Sequence, residues 1–141
     1  MKQTKTQLNT TCTIYFDGSC VPNPGLMGIG AVIIDNSTQS KFKLSKYINQ
    51  GTNNKAEFSA LYVALMYAIK LNYKNAVVYG DSQLTINTFS KNWKIKSKNL
   101  ISLKRKIDEA LTQIECKFYW IPREQNNEAD LLSNPNGNIK F

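Results

Sequence analysis

Apolar and polar positions alternate along TCTIYFDG, with Cys12, Ile14 and Phe16 on one side and Thr13 and Tyr15 on the other. This period of two, in β-branched and aromatic residues, predicts a strand ending at Asp17. GSCVPNPGLMG reads as a loop, because two prolines and three glycines interrupt any regular pattern. The apolar run GIGAVIID (28–35) suits a central strand, and Asp35-Asn36-Ser37 supplies a turn. KFKLSKYIN (41–49) alternates again, with Phe42, Leu44 and either Tyr47 or Ile48 inward. From Asn53 to about Leu71 the period becomes helical, with Ala60, Leu61, Ala64, Leu65, Ala68 and Ile69 on one face. NAVVYGD (75–81) reads as a buried strand, and a second helix runs from Ser82 to Ser90. A basic linker, SKNWKIKSKN, precedes a third helix from Leu100 to Ile114, with Leu100, Leu103, Ile107 and Leu111 on one side. CKFYWIP (116–122) is a last strand stopped by Pro122. REQNNEADLLSN then forms a loop and short helix, with Asn126 or Asn127 as its cap.

A three-strand meander followed by alternating helices and strands implies one mixed α/β layer with helices covering the sheet. In such sheets ligands collect beyond strand ends, where the strand order reverses. Asp17 and Asp81 both fall at strand ends. Glu57 lies one turn before Ala60 and Leu61, on the face that packs on the sheet. A carboxylate there is not a solubilising charge; it is paired or it binds something. Asp130, in NNEADLLSN, is the fourth acid at a boundary between an apolar and a polar segment.

Composition sharpens this picture. The chain has 141 residues, 18 basic against 10 acidic, a formal charge of +8 and no histidine. Length predicts one domain over residues 11–134, with a flexible lead-in at 1–10 and a tail at 135–141. The excess of positive charge points to an anionic partner, nucleic acid first. Against that background, four acids at segment boundaries call for an explanation. Gathered in one cleft they repel each other unless a hard cation neutralises them, and Mg²⁺ takes oxygen ligands in this way. Each acid alone also reads as a helix cap or an ion-pair partner, Asp81 most of all because Ser82 opens a helix. Three cysteines with no CxxC pair argue against a disulfide framework or a zinc site and fit a reducing, cytoplasmic setting. No apolar run reaches the roughly 20 residues of a membrane span. The N-terminus lacks the apolar core of a secretory signal. The initial methionine and short lead-in predict a free-standing protein.

DGSCVPNPG, TNNKAE, YGDSQL and the final EAD, in this order, resemble the type 1 ribonuclease H family over residues 11–134. The resemblance implies a ribonuclease H-like fold, with a five-stranded mixed sheet of order 3-2-1-4-5 flanked by helices. It also implies a monomeric endonuclease that cleaves the RNA strand of RNA–DNA hybrids with two Mg²⁺ or Mn²⁺ ions per site. Asp17, Glu57, Asp81 and Asp130 then become catalytic residues and metal ligands. Two cations about 4 Å apart suit such chemistry, and several converging carboxylates are needed to hold them. By the same resemblance Cys20, Asn23, Asn53, Asn54 and Gln83 line the groove that follows the RNA strand. Amide side chains there suit a 2′-hydroxyl, which both donates and accepts. Thr52 matches a position that contacts a DNA-strand phosphate, and Trp93, among lysines, suits the DNA backbone groove. Turn chemistry at Asn23 and capping by Asn53-Asn54 are the structural alternatives.

Two departures stand out. The segment between the second and third helices is short, so the basic protrusion of many bacterial relatives is reduced or missing. The family's loop histidine is absent, which leaves Arg123 or Glu124 as its substitute. Other readings are a hybrid-binding module without turnover, an integrase or resolvase on the same fold, and a domain of a larger polymerase-type protein. Retention of all four acids argues against loss of turnover. Double-stranded RNA stays open as a second substrate.

Overall fold

The computed structural model describes residues 11–134; the lead-in and the tail expected at 1–10 and 135–141 lie outside the described residues. The five strands are β1 (Thr11–Cys20), β2 (Gly25–Asp35), β3 (Lys41–Gly51), β4 (Asn75–Gly80) and β5 (Glu115–Trp120). The helices are α1 (Asn53–Lys70), α2 (Gln83–Ser90), α3 (Lys98–Ala110) and α4 (Asn127–Leu132), the last preceded by a single 3₁₀ turn, Arg123–Gln125. The sheet order is β3-β2-β1-β4-β5, as expected. β1 pairs antiparallel with β2 and parallel with β4, so the strand order reverses between β1 and β4.

The loop expected over 18–28 is shorter than its composition suggests. β1 continues to Cys20, opposite Met27 of β2, which leaves Val21–Pro24 as the turn. Glycine at 18, 25 and 28 weakened the strand signal, yet Gly18 and Gly28 serve close approaches of backbone distant in the chain. A Cβ on Gly18 would lie 2.2 Å from the carbonyl carbon of Ala56, so α1 packs directly against β1 there. A Cβ on Gly28 would lie 2.1 Å from the carbonyl oxygen of Ser133, just past α4.

Thr52 caps α1 by accepting from the Lys55 N–H (3.2 Å), and Ser82 caps α2 by accepting from the Thr85 N–H (3.2 Å). Each hydroxyl satisfies an N–H that the first helical turn leaves open. α1 buries Phe58, Ala60, Leu61, Ala64, Leu65 and Ala68 in one core with Ile14, Phe16, Ile29, Ile33 and Val78 of the sheet, while Ala56 packs with Cys20 and Met27. α3 closes the layer with Leu100 and Ile107, while Leu103 and Leu111 pack at its margin. β3 is a sheet edge with no buried residue; Phe42 and Tyr47 are exposed, whereas Leu44 and Ile48 touch the core. The pairing with β2 runs unbroken from Ile34–Lys41 to Met27–Ile48, so alternation sets Ile48 on the face of Leu44 and Tyr47 on the other; only beyond Ile48 is Asn49 passed over as a bulge. Among the described residues no helix is long and apolar enough to cross a membrane.

Candidate active site

Asp17 sits on β1 two residues beyond Tyr15, the last to pair with β4, and Asp81 directly follows β4. Both carboxylates therefore emerge at the same end of two parallel neighbours, at the reversal of strand order. The close contact at Gly18 brings α1 alongside β1 and lays Glu57 next to Asp17. The Gly18 backbone N–H in turn partly offsets the upward push that burial and Asp17 exert on the Glu57 carboxyl. One carboxylate oxygen from each of Asp17, Glu57 and Asp81 lies within 4.8 Å of the others.

Asp130 reaches the group from the opposite face. α4 lies on β2 because Gly28 and Gly30 offer no side chains; a Cβ on Gly30 would meet the Ser133 nitrogen at 2.4 Å. Three serine hydroxyls fasten the helix end. Ser19 donates to the Ser133 carbonyl (2.7 Å), Ser45 to the Leu132 carbonyl (2.6 Å), and the Ser133 hydroxyl lies 3.2 Å from Asp17 Oδ2. All four acids line one open cleft of about 430 Å³, together with Cys20, Asn53, Asn54 and Arg123.

The electrostatics are those of crowded, desolvated acids. Asp17 is only 5% exposed. Burial, then Asp130 and Asp81, push its carboxyl up to about 8. Glu57 is raised well above the usual carboxylate range, first by burial and then by Asp17. Glu57 Oε1 is enclosed and has no hydrogen-bond partner among the described residues. Among the described residues, one ion pair reaches these acids: it joins Arg123 Nη2 to Asp130 Oδ1, at 3.5 Å on the exposed rim. An excess of acceptors without donors is what a divalent cation with oxygen ligands requires. The donor set fits such an ion.

A family model described as reverse transcriptase-like matches residues 15–135. The ribonuclease HI of Halobacterium salinarum is 31% identical over 121 residues, covering 85% of this chain and 61% of that protein. The chain belongs to the type 1 ribonuclease H family. A bifunctional protein of Mycobacterium tuberculosis is 35% identical over 123 residues, covering 86% of this chain and 34% of that one. The chain thus spans about a third to three fifths of the length of these relatives. Among solved structures, the N-terminal RNase H domain of the mycobacterial protein superposes with a TM-score of 0.84 at 32% identity, covering 89% of this chain and 97% of that one. LC11-RNase H1, in complex with an RNA/DNA hybrid, gives 0.75 at 34% identity, covering 88% and 94%.

Seen as a ribonuclease H fold, the other predicted positions divide. Asn53 and Asn54 are exposed at the start of α1 beside the acids, and Asn23 accepts from the Asn53 N–H (3.2 Å), which ties the turn to the helix. Thr52 is the cap of α1, so capping falls to it and not to Asn53-Asn54. Gln83 is exposed on the first turn of α2. The Cys20 thiol is buried among the carbonyls of Pro22, Gly25 and Gly51 at 3.3–3.4 Å, where it pins the turn to the end of β3. Trp93, 46% exposed, stands in the helix-free segment between α2 and α3, outside the cleft. That segment carries no protrusion. Arg123 reaches Asp130, whereas Glu124 does not line the cleft.

Sequence reasoning missed three contributors. Asn126 or Asn127 was expected as the cap; Asn126 takes the cap position, but its side chain caps nothing, and its Nδ2 donates to Asp81 Oδ2 and to the Phe16 carbonyl, both at 2.9 Å. Trp120 Nε1 donates to the Asp81 carbonyl (3.0 Å). Ser133 touches Asp17. The spacing of Asn126 and Ser133, one turn either side of Asp130, was the available signal for two of them.

Proposed function

We propose that this chain is a metal-dependent endonuclease cutting the RNA strand of RNA–DNA hybrids, with Asp17, Glu57, Asp81 and Asp130 as its ligands for two Mg²⁺ or Mn²⁺ ions. The observation that carries the proposal is the converging carboxylate set at the strand-order reversal, with an enclosed, partnerless Glu57 oxygen. Bound cations of this class supply the Lewis acidity that activates a water and stabilises the leaving 3′ oxygen. Glu57 and Asp17 are held by α1 and β1, so their separation is set by backbone packing. Asp81 is held at its carbonyl by Trp120 and at its carboxylate by Asn126. Asp130 rides on α4 and is more accessible than Asp17.

Asn53, Asn54 and the backbone of Ser19–Cys20 face the cleft and suit the 2′-hydroxyls of an RNA strand. Gln83, Asn23 and Thr52 extend the same rim, and Trp93 with its flanking lysines suits the DNA strand's phosphates. Arg123 is the basic group in the loop where the family resemblance implies a histidine. All four acids come from one chain, which suits a monomer, and three free cysteines suit a reducing cytoplasm.

The test is cleavage of a labelled hybrid with and without Mg²⁺, beside matched double-stranded RNA, single-stranded RNA and double-stranded DNA. Metal-dependent cutting of the hybrid's RNA strand, abolished by Asp81→Asn with hybrid binding retained, is the expected result. Binding without cutting in either Mg²⁺ or Mn²⁺ overturns it.

A further inference from the structure

We propose that Asn126 is a positioning residue that aims Asp81 and locks it to β1, and that metal affinity depends on it. This rests on reading the four acids as a divalent-cation site. Asn126 is 1% exposed and stands where a helix cap should, yet its side chain turns away from α4. Its Nδ2 bridges the Phe16 carbonyl and Asp81 Oδ2 at 2.9 Å each, and its own carbonyl accepts from the Asp130 N–H at 3.0 Å. One residue therefore connects the backbone next to Asp17, the carboxylate of Asp81 and the backbone of Asp130. The amide's orientation is unambiguous, because a flipped side chain would set its oxygen against two acceptors.

Two features separate this from a purely architectural asparagine. First, Oδ1 is buried without a partner, so the residue is poorly satisfied as a core amide and well satisfied only toward the acids. Second, one Asp81 oxygen is fixed by the amide while Trp120 fixes the carbonyl of the same residue. The carboxylate cannot spin about its Cβ–Cγ bond, and its other oxygen keeps one direction. Outer partners of metal-binding carboxylates act in this way, and losing one typically weakens metal binding about 10- to 100-fold.

The experiment is Mn²⁺ titration by calorimetry of the parent chain, Asn126→Ala and Asn126→Ser, below each protein's melting temperature. Hybrid affinity is measured in EDTA alongside. The expected result is metal affinity at least about tenfold weaker in Asn126→Ala, a smaller loss in Asn126→Ser, and hybrid affinity in EDTA unchanged. A folded alanine variant with parental Mn²⁺ affinity overturns the proposal. If the alanine variant does not fold, the serine variant decides on the same criterion. A parent chain that binds no Mn²⁺ overturns the cation site itself, and this inference with it.

Discussion

Replacing Asp17 by asparagine should make the metal-free protein more stable. The parent carboxyl is raised from 3.8 to about 8 by burial and by neighbouring acids. At about 1.4 kcal/mol per unit, holding it ionised in the folded chain costs on the order of 5 kcal/mol, a cost spread over the whole acid cluster. Its sign follows from the raised value. Below about pH 4 the group is neutral in both folded and unfolded chains and costs nothing. As pH rises towards 8 the folded chain retains a proton that the unfolded chain has lost, so stability falls. Asparagine removes that charge and keeps an oxygen to accept from the Ser133 hydroxyl. A gain of at least about 2 kcal/mol near pH 8, or roughly 5–10 °C in Tm, is therefore expected, shrinking towards acid pH. Thermal unfolding followed by circular dichroism in EDTA measures it directly. In excess Mg²⁺ the ranking should invert, because only the parent gains the cation's binding energy. A variant no more stable than the parent at alkaline pH, or a parent whose metal-free stability is flat with pH, refutes the reasoning.

Gly30→Ala should destabilise the fold by roughly 1–3 kcal/mol and reduce cleavage, since its Cβ would meet the Ser133 nitrogen at 2.4 Å and lift α4 with Asp130; paired melting and hybrid-cleavage assays check both. Hybrid binding should weaken steeply with salt, because phosphate contacts by lysines release counterions; a flat salt series in filter binding removes the role given to the basic surface. Burial pushes the Cys12 and Cys116 thiols up to about 12. They should resist iodoacetamide in the native protein and label on unfolding, as read by mass spectrometry.

The sheet and its helices were legible because each long element has an unmixed period: Cys12–Phe16 alternates, and Ala60–Ile69 repeats as one helical stripe. The acids were legible because each interrupts an apolar segment at its end. What hid was backbone intimacy. Gly18 and Gly28 look like turn residues in sequence and Gly30 like a weak point in a strand, whereas in the fold they are the places where α1 and α4 touch the sheet. Asn126 hid because a residue before a short helix reads as a cap, and only the tertiary fold sets Phe16 and Asp81 beside it. β3 hid in part because an edge strand buries little, so its apolar positions carry no clean inward face.

That edge has another consequence. β3 has no residue that is fully covered, and an uncovered strand is a template on which another chain can pair and aggregate. Lys41, Lys43 and Lys46 stand along it, the first two balanced on Glu128 at 3.3 and 3.0 Å. A second molecule aligning its own β3 there would bring like charges together across the new seam. Part of the chain's positive charge is thus placed where it opposes edge-to-edge pairing, independently of any phosphate.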